Sequence, residues 1–535
     1  MLAYGVALLL GFALVREGLS TWDTRWHRQQ MEWLVAKWSG RAVRPPFEAI
    51  KWYGPLFEYV LGLATAALRP LRDPTCVRHA VTFTLLPLTL VAVYALLRRS
   101  GDTRGTAALA AALLAGNVRF DGHALLNVKD FPFACGYLLA TLVLWLLWSR
   151  RLSPAARFVE RPGTVLLATV VSVVPYLLRA PVMAHWFVLV ALGVSAAAAS
   201  KEAPALRRWS VGLLPLVAGP LVAWAVWPAL WESGPAGFLQ SFRFFSAFTW
   251  EGQVRVFGRT FSATGLPWWY GPAWIPVSWE PVGLLTLVVG SVPFVLLAVR
   301  GLRSALAPGG SLAGSLPLWV AVFAAAPWAA VLVLRPVLYD EDRHLLFAMP
   351  LLAVAAALGL RRLPESAKAG LAAAVAVSAL AAGVQWGKYA YVYKDPLLPR
   401  VEAEDFMGDY WCAASGAMAQ ALYDRVPEGS WVVVIAPVDV FVDELDRRVT
   451  SRLVAAPTPK SFRLEDRGPP SGPFYVLATN RNRANARIVE DIAQGRAREV
   501  WSERMPSSRT PAAVLAYYTE PCPHCRYRPK VFYAG

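Results

Sequence analysis

The chain has 535 residues, 56% of them hydrophobic, and carries 53 Lys and Arg against 36 Asp and Glu, a net charge of +17. Its mean hydropathy of +0.41 is well above that of an ordinary soluble domain. Apolar runs of roughly 15–25 residues, the length needed to cross a bilayer, exclude a single soluble core. In such a protein the positive charge is explained by topology and anionic lipid, so no nucleic-acid partner is expected.

The apolar runs predict about eleven transmembrane helices, with boundaries uncertain by roughly 2–4 residues. The first is interpreted as a retained helix, because it lacks the basic start and cleavage site of a signal peptide. The predicted spans are 1–16, 77–97, 105–118, 131–149, 163–178, 181–200, 209–231, 280–299, 317–335, 344–360 and 369–387.

One further apolar stretch, Tyr53 to Leu68, is interrupted by Glu58 and flanked by Pro55 and Pro70. These interruptions favour an interfacial or re-entrant helix over a span. The short links carry most of their Lys and Arg on one side, which predicts a cytoplasmic N-terminus. The first outer loop, 17–76, then lies outside although it also contains basic residues.

The composition changes after residue 388, where charged residues become frequent and apolar runs shorten. Trp431 to Pro437, Phe474 to Thr479 and Ala512 to Thr519 are typical of buried strands, with helical patterns near 404–425 and 482–495. The sequence therefore predicts a transmembrane domain over 1–388 and a soluble outer α/β domain over 389–535.

A Cys-x-x-Cys motif, PCPHC, closes the C-terminal region with Cys522 and Cys525. A single such motif lacks the second pair of ligands that zinc usually needs. A local disulfide is favoured over a metal site or a redox centre, and the role of the two cysteines stays open.

The first outer loop contains Asp23 and His27, four residues apart and on one face if the stretch is helical. A carboxylate at a membrane surface could remove a proton from an acceptor hydroxyl or hold a divalent metal against phosphate. The alternative is an ordinary solvated loop of mixed charge.

The next outer segment, RFDGHALLNVKDFPF, lies between two predicted spans and contains His123, Lys129 and Asp130. Lys129 could neutralise a phosphate, while Asp130 could join Asp23 at a metal or an acceptor. The alternative is helix capping, for which Asp130 before Pro132 is well suited.

Two later outer segments add basic residues beside aromatic ones. The segment 232–279 contains Arg255 and Arg259, which could contact a phosphate, among Trp residues that an interfacial aromatic belt would also explain. The segment 336–344 ends in Arg343 and His344, where Arg343 could grip a lipid phosphate. An ion-paired helix N-terminus is the alternative there.

The chain carries a succession of motifs in a fixed order. It contains WDTRWH, YGPLFEYVLGL, GHALLNVKDFPFA, WPALWE, FSAFTWEG, LPWWYGP, LYDEDRHLLFAMPLLA and DYWCAASGAMAQAL. This succession resembles the GT-C glycosyltransferases, in particular the dolichyl-phosphate-mannose protein mannosyltransferase-like family that includes the bacterial aminoarabinose-lipid A transferases.

The resemblance implies a GT-C-like fold and transfer of a sugar from a polyprenyl-phosphate carrier on the non-cytoplasmic face. It implies that Asp23 is essential to transfer, and it maps the second acidic position onto Asp130 and the adjacent basic position onto Lys129. Arg343 and His344 match the late Arg-His motif. His27, His123, Arg255 and Arg259 complete the expected substrate-binding set.

One departure concerns a metal. Many relatives carry an Asp-Glu pair in the first loop, whereas here Asp23 is followed by Thr24. Glu17 is then the fallback ligand beside Asp23 and Asp130, and a need for Mg²⁺ or Mn²⁺ stays open.

These patterns predict a membrane glycosyltransferase with an inverting single displacement, in which Asp23 is the general base and the basic residues stabilise the leaving phosphate. Its partners would be a polyprenyl-phosphate sugar, a protein or lipid/glycan acceptor and membrane lipids, in a bacterial inner membrane. The alternatives are a transporter or lipid flippase, which usually places charges mid-membrane, and a non-catalytic scaffold.

Overall fold

A computed structural model describes most of the chain. The described residues are 21–68, 73–151, 162–179, 213–246, 250–307, 314–398, 402–435 and 472–520, less a few single positions, together with the strand at 463–465 and some isolated positions. The predicted spans 1–16 and 181–200, the candidate ligand Glu17 and the pair Cys522 and Cys525 lie outside these residues.

Helices make up the first part of the chain. In chain order they are Thr24–Trp38, Leu56–Leu68, Pro74–Arg99, Arg104–Ala115, Val118–Leu126, Asp130–Arg151, Pro162–Leu178, Leu213–Val226, Pro228–Ser233, Ala236–Ser246, Tyr270–Ser278, Pro281–Leu306, Leu316–Leu334, Met349–Gly359 and Glu365–Trp386. Short 3-10 helices cover Glu48–Trp52, Arg343–Ala348, Gly387–Val392 and Ala403–Asp405.

Five of the described helices are long and apolar enough to cross a membrane: Pro74–Arg99, Asp130–Ser149, Pro281–Leu306, Leu316–Leu334 and Glu365–Val392. Their outward faces carry large exposed apolar side chains, such as Val91 at 67% and Leu334 at 71% exposure. Water would penalise such surfaces and lipid would not. The protein is a multi-pass helical membrane protein.

These five helices match the predicted spans 77–97, 131–149, 280–299, 317–335 and 369–387. The helices at the predicted spans 105–118, 163–178 and 344–360 have 12, 17 and 11 residues and are shorter than these five. The predicted span 209–231 is wrong as a continuous helix, because it breaks at Trp227 before Pro228 begins a new helix. The count of eleven spans stays a prediction.

Local sequence explains where several helices begin. The Asp73 side chain accepts hydrogen bonds from the Thr75 and Cys76 amides, and Pro74 occupies the first helical position. Glu280 caps the Pro281 helix in the same way, accepting from Val282 and Gly283. A capping acceptor followed by proline satisfies the free amides of the first turn, so these starts are encoded locally.

Among the described residues of the C-terminal region, five strands form a mixed sheet in the order β4-β3-β5-β7-β6, while a separate two-stranded hairpin, β1-β2, precedes it in the chain. The strands are β1 Gln253–Val256, β2 Arg259–Ser262, β3 Trp431–Ile435, β4 Arg463–Glu465, β5 Phe474–Thr479, β6 Arg498–Glu503 and β7 Ala513–Tyr518. β3 pairs in parallel with β4 and β5, and β7 is antiparallel to β5 and β6.

The two faces of the sheet follow the alternation of its strands. Val432 and Leu477 pack with Leu422 of the helix Ser415–Arg425 on one face. Val433 and Val476 pack with Ile488 of the helix Ala486–Ala493 on the other. The predicted strands at 431–437, 474–479 and 512–519 are confirmed, whereas β4, β6 and the hairpin were missed.

Candidate functional site

Asp23 lies at the centre of a cluster of charged side chains. It directly precedes the helix Thr24–Trp38 and makes no side-chain capping bond there, which leaves its carboxylate free to face the protein. Its Oδ2 lies 2.7 Å from Lys129 Nζ and 3.3 Å from Arg343 Nη1. Three segments far apart in the sequence therefore meet at one carboxylate, as the sequence predicted for Asp23, Lys129 and Arg343.

The electrostatics of this cluster keep Asp23 ionised. Burial alone raises the pKa of its carboxyl, but the charges of Lys129, Arg343 and His27 outweigh burial and hold that pKa below its usual range. Burial lowers the pKa of the Lys129 ammonium, and the charge of Asp23 opposes this effect. An ionised carboxylate beside two donors can accept a proton or orient a hydroxyl group.

Asp130 lies next to Lys129 in sequence and forms an ion pair with Arg179. The sequence left helix capping open as the alternative role for Asp130, and here Asn127 Oδ1 accepts the amides of Lys129 and Asp130 at 3.2 Å and 2.7 Å. With its helix already capped by Asn127, the Asp130 carboxylate is available to hold the Arg179 guanidinium.

Arg343 is anchored by a second carboxylate, that of Asp340. Its Nη1 lies 3.3 Å from Asp340 Oδ2, and Asp340 Oδ1 lies 3.1 Å from Nη2 of Arg481, which follows strand β5. Asp340 and Glu341 both adopt left-handed backbone conformations, with φ of 54° and 65°. This uncommon turn is the kind of strain that clusters at functional sites.

Aromatic rings line the charged cluster. Lys129 Nζ lies 5.2 Å from the centre of the Tyr53 ring, and the Arg343 guanidinium lies 4.8 Å from that of Tyr339. Trp250 stacks on Tyr339 at 4.6 Å, and the His344 ring meets Tyr339 edge-on at 4.5 Å. The rings hold the cations through cation–π attraction and shield them from solvent.

His27 lies next to the cluster, on the helix that Asp23 precedes. It is buried, and its Nδ1 lies 2.8 Å from Glu58 Oε1, while Arg78 Nη2 lies 2.8 Å from the other oxygen of Glu58. The sequence predicted His27 as a substrate-binding residue. One of its ring nitrogens is engaged by Glu58, the charge of His27 acts on Asp23, and the substrate-binding role stays a prediction.

His123 lies on the other side, on the short helix Val118–Leu126. The neighbouring Gly122 permits this position, because a Cβ there would collide with the backbone of Ala390 and Tyr391. The His123 ring lies 5.3 Å from that of Trp411, and its Nδ1 is 3.0 Å from Asn127 Nδ2. Asn127 in turn donates to Asp130 Oδ2 at 3.2 Å, so His123 is linked to the cluster.

Arg255 and Arg259 lie on the β1-β2 hairpin. Their described neighbours are in the hairpin itself, in the segment 402–405 and at Arg509. Arg255 Nε donates to the Glu404 carbonyl at 2.6 Å, and Arg255 Nη1 donates to Thr260 Oγ1 at 3.2 Å. Arg259 lines a separate cleft with Glu402, Asp405 and Arg509. The hairpin therefore packs against the 402–405 segment, and neither arginine is brought to Asp23 by a described contact.

The donor set around Asp23 and Asp130 does not fit a divalent metal. Each carboxylate faces one or two basic side chains, so a cation would meet the charges of Lys129, Arg343 and Arg179. In the described ranges no three His, Cys, Asp or Glu side chains group closely enough to hold a metal ion. The surroundings favour an anion.

A second buried cluster lies close by and is closed on itself. Arg119 Nη2 lies 2.6 Å from both Glu341 Oε2 and Asp342 Oδ1, and Lys394 Nζ lies 2.8 Å from Glu341 Oε2. Glu341 Oε1 accepts the Met407 amide at 3.1 Å. All four charged side chains are almost fully buried. This cluster joins four segments around 119, 341, 394 and 407.

Sequence reasoning missed several members of these clusters. Arg179, Arg119 and Arg481 were given no role, and Glu58 was seen only as an interruption of an apolar run. The one usable signal was that Glu58 and Arg78 stand among apolar residues at predicted membrane boundaries, where charges usually have a partner. Nothing local indicated which partner each would have.

The fold and the site together define a multi-pass helical membrane protein with a buried, predominantly basic site around one ionised carboxylate. No protein-family model matches the chain, and no curated protein matches its sequence.

Solved structures do show similarity. One is the crystal structure of ArnT from Cupriavidus metallidurans bound to undecaprenyl phosphate, with 14% identity over 96% of this chain and 97% of that chain and a TM-score of 0.48. The apo ArnT structure gives 14% identity, the same coverage and a TM-score of 0.49.

A third similar structure is the archaeal oligosaccharyltransferase AglB from Archaeoglobus fulgidus, in complex with an inhibitory peptide and a dolichol-phosphate. It shows 13% identity over 82% of this chain and 63% of that chain, with a TM-score of 0.45. At this level of similarity, neither protein assigns a family or an activity to the chain.

Proposed function

We propose that the protein is a membrane glycosyltransferase that moves a sugar from a polyprenyl-phosphate donor to a protein or lipid/glycan acceptor. The observation that carries the proposal is the pairing of the Asp23 carboxylate with Lys129 and Arg343 in a largely buried site beside apolar helices. A lipid-linked phosphosugar has the matching chemistry. Its phosphate is an anion that the cations can bind, and its anomeric carbon can be attacked by an acceptor hydroxyl that the base deprotonates. Its polyprenyl tail suits the surrounding lipid.

The reaction is a single displacement at the anomeric carbon. Asp23 accepts the proton of the acceptor hydroxyl, whose oxygen forms the new bond to the anomeric carbon as the bond to the phosphate oxygen breaks. The phosphate leaves with the bonding electron pair, and the configuration of the sugar inverts. Lys129 and Arg343 lie beside the base, where they stabilise the charge that grows on the leaving phosphate.

Asp130 and Arg179 extend the basic surface. Asp130 holds the Arg179 guanidinium in place, so the proposed role of Asp130 is to position a third cation for the phosphate. This replaces a role in metal binding, since the donor set does not fit a divalent ion. His344 packs beside Tyr339 and Arg343 and shapes the same surface.

The topology of the proposal follows the charge distribution of the links. The N-terminus lies in the cytoplasm, Asp23 and the sheet region lie on the extracytoplasmic side of a bacterial inner membrane, and residues 389–535 form an α/β domain on that side, packed against the helical region. Glu499→Cys, at an exposed position of strand β6, should then be labelled in intact spheroplasts by a membrane-impermeant reagent. Labelling only after lysis would reverse the orientation.

The test of the activity uses purified protein, a labelled polyprenyl-phosphate sugar and envelope fractions as the acceptor source. Release of polyprenyl phosphate should fall about 10²- to 10⁴-fold in Asp23→Asn, because the amide cannot accept the proton. The matched control is Asp424→Asn on an exposed helix face, which should behave as wild type.

Two outcomes would overturn the proposal. One is an Asp23→Asn protein that is folded and turns over at the wild-type rate. The other is a wild-type protein that accumulates the lipid-linked sugar across vesicles without forming a covalent product, which would favour a transporter or flippase.

A further inference from the structure

The segment Tyr410–Trp411, which opens the C-terminal region, lies directly against the proposed site. Both side chains are buried, with 0% and 1% exposure, as are His123 and Arg343. The Trp411 ring lies 5.3 Å from the His123 ring and 5.9 Å from the Arg343 guanidinium. Tyr410 is close enough to Arg343 to act on it electrostatically. His123, Arg343 and Tyr410 thus all lie against the Trp411 ring, and we call this group of four side chains the Trp411 face.

Four buried polar atoms of the Trp411 face have no hydrogen-bond partner among the described residues. They are His123 Nε2, Tyr410 Oη, Trp411 Nε1 and Arg343 Nε. A buried donor left without a partner costs about 1–3 kcal/mol, and native structures rarely leave one unsatisfied. Four on one face indicate that the face is completed by something it binds.

The hydrogen-bond direction at His123 can be worked out from its neighbours. Asn127 Oδ1 accepts the amides of Lys129 and Asp130, so the Asn127 amide nitrogen faces His123 Nδ1 and donates to it. Burial lowers the pKa of His123 well below its ordinary value, so the ring is neutral. A neutral ring that accepts at Nδ1 carries its proton on Nε2. The unpartnered Nε2 is therefore a donor.

The other three atoms have the same polarity. Trp411 Nε1 and Arg343 Nε can only donate, and the Tyr410 hydroxyl can donate. The Trp411 face thus presents four donors, and the ligand that satisfies them must present several acceptor oxygens. The neighbouring tyrosines differ from Tyr410, because they are satisfied within the protein: Tyr391 donates to Asp409 and Tyr270 to the Glu341 carbonyl.

We propose that the Trp411 face binds the sugar of the donor through its oxygen atoms, and that it selects a neutral or acidic sugar over one that carries an ammonium group. The proposal rests on the proposed function for its substrate, but not on the chemical step. Hydroxyl or carboxylate oxygens satisfy the four donors. An ammonium group brings only donors of its own and a positive charge beside Arg343, so its recognition is unfavourable.

Tyr410→Phe tests the proposal, because it removes only the hydroxyl. Without ligand, the variant should be as stable as wild type or more stable, since an unsatisfied buried hydroxyl is lost. Its affinity for a polyprenyl-phosphate hexose should nevertheless fall about 3- to 10-fold, the effect of one hydrogen bond. A residue with a purely structural role would not show these opposite changes.

The matched control is Tyr137→Phe, since the Tyr137 hydroxyl donates to the Phe323 carbonyl within the helical region at 2.9 Å. That variant should lose stability and keep its affinity for the donor. Trp411→Phe, which removes the indole donor, should weaken hexose binding like Tyr410→Phe and provides a second route to the same result.

Two ligands separate the sugar from the phosphate. Polyprenyl phosphate without a sugar should bind Tyr410→Phe and wild type equally, and a donor carrying an amino sugar should bind wild type more weakly than the hexose donor does. An equal loss of affinity for both the hexose donor and polyprenyl phosphate would overturn the sugar assignment and assign the face to phosphate. Equal or tighter binding of the amino-sugar donor would overturn the selectivity.

The two proposals fail in different ways. If wild type binds the hexose donor with the expected Tyr410 dependence but releases no polyprenyl phosphate, the transferase proposal fails and the sugar-binding face stands. If wild type turns over and Tyr410→Phe matches it in affinity, the sugar-binding face fails alone.

Discussion

Two buried charge clusters, one around Asp23 and one around Arg119, lie side by side. The consecutive residues 340–342 form one turn, but they belong to different clusters. Asp340 faces Arg343 and the Asp23 cluster, while Glu341 and Asp342 face Arg119. In the Arg119 cluster, both carboxylates meet cations at hydrogen-bond distance, and Glu341 also accepts an amide. In the Asp23 cluster, basic groups predominate and Arg343 Nε has no partner.

This difference distinguishes a structural role from a binding role. The Arg119 cluster satisfies its own charges, so its function is to hold four segments together at the cost of desolvating them. The Asp23 cluster leaves cations and donors available, as an anion-binding site requires. Changes in the first cluster should therefore affect stability, and changes in the second should affect activity.

The largest effect is expected from Glu341→Gln in the closed cluster. The change leaves Arg119 and Lys394 buried with only the Asp342 carboxylate, and breaking a buried ion pair costs about 3–5 kcal/mol. Denaturant unfolding in detergent measures this loss. Glu499→Gln on the exposed face of β6 is the control and should stay within about 0.5 kcal/mol of wild type. A Glu341→Gln protein as stable as this control would mean that the cluster is not structural.

Lys129→Met tests the Asp23 cluster, where a change should affect activity more than stability. Removal of one donor to the leaving phosphate should slow polyprenyl phosphate release about 10²- to 10³-fold. The free energy of unfolding should change by no more than about 1 kcal/mol, because Asp23 keeps Arg343. Lys388→Met removes a comparable half-buried lysine, paired with Glu503 at 2.6 Å, and should keep wild-type activity. Equal rates for the two variants would remove Lys129 from the mechanism.

The smallest effect is a dependence of stability on pH that arises from Lys394. Burial lowers the pKa of its ammonium from 10.5 to about 7, although Glu341 opposes this shift. Above that folded-state pKa the unfolded chain binds more protons than the folded one, so the free energy of unfolding rises with pH until about pH 10.5. Below it both states are protonated and the contribution is constant.

The difference in stability between wild type and Lys394→Met isolates this contribution. It should shift in favour of wild type by roughly 1 kcal/mol for an increase of about one pH unit above neutrality. Unfolding measured at a series of pH values checks the slope. A difference that does not change across the range would show that Lys394 titrates at its ordinary pKa in the folded protein.

Much of the fold could be predicted because its signals are local. The long apolar runs located five helices, the capping acids before Pro74 and Pro281 fixed two of their starts, and alternation located three strands. The strand β6, REVWSE, was missed because its charged side chains lie on a partly exposed edge of the sheet, where burial imposes no apolar pattern.

The site was predicted in part. Asp23, Lys129 and Arg343 were named together and lie together in the structure. They could be named because motifs of mixed charge at membrane boundaries carry a resemblance that single residues do not. His27 was named without its partner Glu58, and capping by Asp130 was left open as an alternative, whereas Asn127 accepts the first amides of that helix. Each error concerned a side chain whose partner lay elsewhere in the chain or in a competing position nearby.

The sequence by itself determined the five long helices, three of the strands and the membrane character, because hydrophobic periodicity acts over a few residues. The tertiary structure alone decided which charges meet: Arg119 with Glu341, Arg481 with Asp340, and Trp411 with Arg343. Ion pairing depends on distance in space and leaves no spacing rule along the chain. That is why the one turn at 340–342 can contribute both to the Arg119 cluster, whose charges are satisfied, and to the Asp23 cluster, which has donors available.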